Sequence, residues 1–220
     1  MMLPSQEGFL SADKIQAILQ DASIRSVQRK PPSANILSPA VLSQIDIILP
    51  EDILPQNISL LWSRRGDQLD LNTLVDQIPI QTPSILLVSG KSENQDVIFG
   101  LFEPKEPEDK LIQPFMVQLA PLHRVFRPLR RTTKCSCSIL LDQARGTSTL
   151  TCQLFQSEHE NQSVSPGHHG SEQCIARLVV SGNQGHFTLS NDTSADKHFL
   201  VDAMELLKMD LLEDCGYSTD

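Results

Sequence analysis

The sequence lacks an excess of basic residues: 18 Lys and Arg stand against 27 Asp and Glu, a formal net charge of -9 with a pI near 5.1. A dedicated nucleic-acid binder would show a basic footprint over most of one face, so that class is disfavoured and partners that are other proteins are favoured. Aromatic residues are scarce, at 5%. Long apolar runs are missing too. The longest are short pieces such as ILLV and LVV, far below the roughly eighteen residues that a membrane-spanning helix needs. The opening MMLPSQEGFLSADK has neither a basic n-region nor an uninterrupted apolar h-region, so a cytoplasmic location is expected. Asn-x-Ser/Thr triplets at Asn57, Asn161 and Asn191 carry no weight in that compartment. Five cysteines are an odd number, and in a reducing compartment they read as free thiols.

Recognisable catalytic signatures are missing as well. There is no Gly-x-Ser-x-Gly elbow, no Gly-x-x-x-x-Gly-Lys phosphate loop, no Gly-x-Gly-x-x-Gly fingerprint and no His-Glu-x-x-His pair. Enzyme activity is therefore not expected, and the same residues name no cofactor.

What is present is 40% hydrophobic residues in 220, enough for one domain with appendages. SADKIQAILQDA, opened by Ser11, reads as a short helix that the proline pair at 31 and 32 ends. ILSPAVLSQIDIILP is a stronger helix signal. Ser38 is an N-cap candidate, Pro39 suits the first helical position, and Val41, Leu42, Ile45 and Ile48 recur at helical spacing until Pro50. ISLLWS then reads as a strand, SRRGDQ as a turn, and LDLNTLVDQI as a short helix with Leu71, Leu74 and Val75 facing inward.

SILLVSG and DVIFGLF are two strand candidates with a hairpin-like connection, and Gly100 inside the second marks a bulge or a close backbone approach. PFMVQLAPLHRVFRPL adds two short runs around Pro121. CSCSILLDQARGTSTLTCQLF has some strand character, whereas SEHENQSVSPGHHGSEQ is polar and low in hydrophobes. IARLVVSG, NQG and HFTLSN form another hairpin-like pair. In the closing stretch Phe199, Val201 and Ala203 alternate as in a strand, yet Ala203, Met204, Leu207 and Leu211 align on a helix. Both readings stand at this point. Strands with few helices between them suggest an antiparallel α+β arrangement.

The order of these pieces resembles the TLDc domain family of oxidation-resistance proteins and their relatives. That family places a helix ending in Leu-Pro before a strand, a turn and a helix containing SLxxL. Here Leu49-Pro50, Leu60-Leu61-Trp62-Ser63, Arg64-Arg65-Gly66-Asp67 and Leu71-Asn72-Thr73-Leu74 stand in the matching order. A Phe-Gly-Ala-Phe step is echoed by Phe99-Gly100-Leu101-Phe102, and the closing strand by Phe199, Val201, Glu205 and Leu207. The family's FYGTGE segment and aromatic KWTG step are missing, and its glycine stretch is reduced to Ser181-Gly182-Asn183-Gln184-Gly185.

The resemblance implies an α+β fold of two antiparallel β-sheets packed as a sandwich with a few flanking helices. It divides the chain into an extension and linker over 1–35, a domain over 36–208 with a low-complexity insertion at about 134–175, and an acidic tail over 209–220. It further implies a non-enzymatic role, with binding to peripheral subunits of the vacuolar proton ATPase or a part in oxidative-stress protection. Arg65, Gly66 and Asp67, which spell an adhesion tripeptide, become a structural turn in which Asp67 stabilises the corner or caps the following helix.

Two further sets of residues offer sites. HRVFRPLRRTTK carries Arg124, Arg127, Arg130, Arg131 and Lys134 without an acid among them, a candidate docking strip for an acidic protein surface, a phosphorylated loop or an anionic membrane. The plainer reading is a solvated strand end. Cys135, Cys137, Cys152, His168, His169 and Cys174 supply enough thiolate and imidazole for a zinc-stabilised scaffold module, but Cys-x-Cys is not the usual knuckle spacing.

Overall fold

The computed structural model describes residues 35–49, 57–66, 69–79, 82–104, 113–127, 134–144, 147–157, 172–190 and 192–210. The expected helix after Ser11 lies outside them, as do Asp67, most of the polar tract and the acidic tail beyond residue 210.

Helix α1 spans Pro39–Ile48, as its sequence signals require. The Ser38 hydroxyl accepts from the Val41 N–H at 3.3 Å, Pro39 opens the first turn, and Val41, Leu42, Ile45 and Ile48 are all buried. Strand β1 (Asn57–Arg65) leads through Gly66, at a φ of 53°, to the single-turn helix α2 (Leu71–Val75). Asp70 caps α2, its carboxylate accepting from Asn72 N–H at 3.1 Å, so the capping role considered for Asp67 falls three residues later. Leu71 and Leu74 are buried as expected, but Val75 is 38% exposed: in a single helical turn the 71/74 edge alone meets the core.

The remaining elements are strands: β2 (Ser84–Ser92), β3 (Gln95–Glu103), β4 (Phe115–Ala120), β5 (Arg124–Phe126), β6 (Lys134–Ala144), β7 (Thr147–Ser157), β8 (Glu172–Ser181), β9 (Gln184–Leu189) and β10 (Asp192–Asp210). The β2–β3 turn places Glu93 and Asn94 at φ of 48° and 71°, the twist that a two-residue hairpin needs. All pairings are antiparallel, in the order β5-β4-β3-β2-β10-β9-β8-β7-β6, with β1 also on β10. The expected antiparallel strands with few flanking helices are present, but the class is mostly β rather than α+β, and two distinct packed sheets are not found among the described residues. The described residues are mostly strand and form one connected sheet, because the 19-residue β10 runs on from its pairing with β9 to its pairings with β1 and β2.

Two apolar layers hold this sheet together. In the first, Leu86, Val88, Phe99, Leu101 and Met116 from β2 to β4 meet Leu150, Cys152, Leu154, Leu178 and Phe187 from β7 to β9. Phe99 and Phe187 stack there with ring centroids 4.5 Å apart. In the second, α1 packs on Ile85, Leu87, Phe102, Phe115, Val117 and Leu207. Strand β2 is therefore covered on both faces, which explains why SILLV reads as an unbroken apolar run rather than an alternating one. Among the described residues no helix is long and apolar enough to cross a membrane.

Candidate functional site

The two described arginines of the basic run differ in what they touch. Arg124 lies on β5, the edge strand beyond β4, opposite Gln118, and is exposed to solvent beside the 39% exposed Val125. Arg127, just past β5, turns back to the protein. Its Nη2 donates to the Ile48 carbonyl at the end of α1, and its guanidinium lies 4.8 Å from the centre of the Phe115 ring. A cation there offsets the negative end of the helix dipole. Partial desolvation lowers its pKa from the usual value, although the residue as a whole remains exposed. Arg130 and Arg131 lie outside the described residues, and Lys134 opens β6.

The opposite end of α1 is fastened by Glu205, which is fully buried on β10. Its carboxylate accepts from the backbone N–H groups of Asn35 and Leu37, and from the Ser63 hydroxyl at 3.4 Å. The lead-in to the helix is thereby tied to the middle strand of the sheet. Sequence reasoning placed Glu205 only as an echo of a family pattern; its signal was an acid inside the apolar stretch AMELLKM.

At the end of the first core layer, Trp62 Nε1 donates to Thr73 Oγ1 at 2.9 Å, and that hydroxyl donates to the Asp70 carbonyl at 2.9 Å. Arg64 sits 5.7 Å from the centre of the Trp62 ring. The cleft here is lined by Leu61, Trp62, Ser63, Arg64, Thr73 and Gln77, with Leu60 beside them. None of these is an acid, a His or a Cys, so the cleft holds no general acid–base pair.

Among the described residues Cys137 lies near Cys152, but the four thiols do not form one cluster. Cys135, Cys137 and Cys152 pack with the first core layer, whereas Cys174 pairs with Phe155, and neither belongs to that layer. No cysteine belongs to a metal-holding group among the described residues. Burial pushes the Cys135 thiol up to about 12 and raises Cys152 strongly; Cys174 is also raised, chiefly by burial, against the opposing pull of Arg177. Such thiols stay protonated near neutral pH and are poor nucleophiles. His168 and His169 lie outside the described residues.

Comparison with known families decides the assignment: the family model described as TLDc domain matches residues 31–207. The chain belongs to the TLDc family. No curated protein matches it closely enough to serve as a relative. The pieces that carried the resemblance have definite places in this TLDc domain. Leu60 to Ser63 form the middle of β1, Leu71 to Leu74 are α2, Phe99 to Phe102 cross β3, and Phe199, Val201, Glu205 and Leu207 lie along β10. Arg65 ends β1 and Gly66 follows it at a φ of 53°. Membership is consistent with a domain that works by interaction rather than catalysis.

Proposed function

We propose that this TLDc domain is a non-enzymatic, cytoplasmic protein-binding module that engages peripheral subunits of the vacuolar proton ATPase. The family match over residues 31–207 carries the reading. The lack of an acid or imidazole in the Trp62 cleft is in keeping with it. Among the described cations of the strip, Arg124 is placed to meet an acidic partner surface, since Arg127, though also exposed, is engaged by the end of α1. A role in oxidative-stress protection would run through such binding rather than through Cys135, Cys152 or Cys174, whose raised pKa values suppress thiolate chemistry.

The test is capture from a cell lysate at moderate salt on the immobilised full-length chain, with proton-pump subunits as the readout. Retention of those subunits, weakened severalfold by Arg124→Ala, is the expected result. Their reproducible absence would remove the partner and leave the family assignment untouched.

A further inference from the structure

The β9–β10 ladder brings three ligand-type side chains together on the face turned away from the core. His186 of β9 and His198 of β10 are directly opposed in register. Asp196 lies in the irregular stretch of the ladder between Asp192 and Lys197 and is brought to the pair by its contact with His186, while the neighbouring residues Phe187 and Phe199 enter the core. The two imidazoles stack with centroids 4.0 Å apart and planes inclined by 8°. His186 Nε2 contacts Asp196 Oδ1, and one ligand atom from each of the three residues lies within 4.8 Å of the others.

A His186–Asp196 ion pair alone explains two of these groups. It leaves out His198, whose ring stacks on that of His186 and whose ligand atom lies near the same two groups. A shared cation would engage all three. Zinc bonds to imidazole nitrogen and carboxylate oxygen at about 2.0–2.2 Å in a tetrahedron, which sets neighbouring ligand atoms roughly 3.3 Å apart. The stacked rings hold their in-plane lone pairs side by side, so both imidazoles must turn about their side-chain torsions for the nitrogens to converge on one ion. Asp196 and His198 are exposed and His186 half-buried, so a hydrated ion has an open approach.

We propose that His186, His198 and Asp196 form a binding site for a divalent late first-row cation, zinc by preference, with water in the fourth position. The ligand set is two nitrogens and one oxygen with no sulfur, which suits zinc's tolerance of mixed N/O coordination. Bound there, the ion cross-ties β9 to the first half of β10. The site is separate from the protein-binding reading and uses none of its residues.

Zinc chloride is titrated calorimetrically into the full-length chain, and Co²⁺ serves as the spectroscopic substitute. Expected are one equivalent bound at this site, a loss of affinity of roughly tenfold or more in each of His186→Ala and His198→Ala, and cobalt d–d bands without a strong sulfur charge-transfer band. Zinc affinity unchanged in either variant overturns the proposal, as does a cobalt spectrum dominated by thiolate charge transfer. Thermal melting in chelator establishes that each variant folds. Should a histidine variant not fold, Asp196→Asn is read in its place, with the same two outcomes.

Discussion

The Glu205 carboxylate accepts a hydrogen bond from the Leu37 backbone N–H at 3.1 Å, joining residues 168 positions apart. With Asn35 N–H and the Ser63 hydroxyl on its other oxygen, the carboxylate serves three donors at once from a fully buried position. Glu205→Ala leaves those donors without their acceptor, the Leu37 N–H in a buried position and the other two in partly buried ones. It is expected to cost about 2–4 kcal/mol, whereas Glu205→Gln, which keeps one acceptor oxygen and loses the charge, costs about 1–2 kcal/mol. Urea unfolding followed by Trp62 fluorescence checks the order. An Ala variant within about 0.5 kcal/mol of the parent would show that α1 is held by its apolar face alone.

Arg127 and Arg124 are three residues apart, and their variants test a structural role against the proposed binding one. Arg127→Ala removes the cation from the end of α1 and the contact with Phe115, for an expected loss of about 1–2 kcal/mol. Arg127→Lys recovers only part of that, since a lysine keeps the charge without the planar face. Arg124→Ala leaves stability within about 0.5 kcal/mol and acts on partner capture instead. Measuring the unfolding midpoint and the captured pump subunits on the same variants distinguishes the two. A stability loss in Arg124→Ala equal to that of Arg127→Ala would end this division of labour.

Most of the elements were legible because their signals are local. Ser38, Pro39 and the 41/42/45/48 spacing define α1 within one short stretch, and the turn residues between β2 and β3 define a hairpin. The closing strand resisted for a reason visible in its register. Between Val201 and Ala203 the pairing with β2 slips by one residue, so the inward set passes from Phe199 and Val201 to Met204 and Leu206. That bulge breaks the period of two, and the residues on either side of it then imitate helical spacing. The basic run was legible as charge but not as geometry, because nothing local reveals that Arg127 reaches a carbonyl 79 positions earlier. The His186, Asp196 and His198 group carries no spacing signature either, since a register across two strands brings it together.

Gly185 and Gly90 are required by Phe199. A Cβ at Gly185 would lie 2.2 Å from Phe199 Cζ, and one at Gly90 would lie 2.1 Å from the Leu200 carbonyl oxygen and 2.7 Å from Phe199 Cδ2. At Gly90 the obstacle includes backbone, so the strand itself must move; at Gly185 the ring must leave its place beside Phe99. Both Ala variants are expected to lose about 1–3 kcal/mol, with Gly90→Ala the worse. The double variant Gly185→Ala, Phe199→Leu should recover part of the Gly185 loss, because the smaller side chain opens the space. No recovery in the unfolding midpoint would mean that the ring is not what the glycine accommodates.

The buried thiols make stability fall at alkaline pH, with a sign that follows from their direction of shift. A Cys has a usual value of 9.0, and burial raises Cys135 to about 12, with Cys152 and Cys174 raised as well. Above pH 9 the unfolded chain releases protons that the folded chain retains, so the unfolded state binds fewer protons and unfolding becomes easier. The stabilising contribution is complete below about pH 9 and is lost as pH rises from 9 toward 12. The urea midpoint of the parent should therefore drop between pH 9 and 10.5, and the drop should be shallower in a Cys135→Ala, Cys152→Ala variant, whatever its lower absolute stability. Iodoacetamide at pH 8 should leave Cys152, buried in the first core layer, unlabelled in the folded chain and label it in urea, as read by peptide mass spectrometry. Equal slopes in parent and variant, or rapid labelling of Cys152 in the folded state, would show that these thiols are not held protonated by the core.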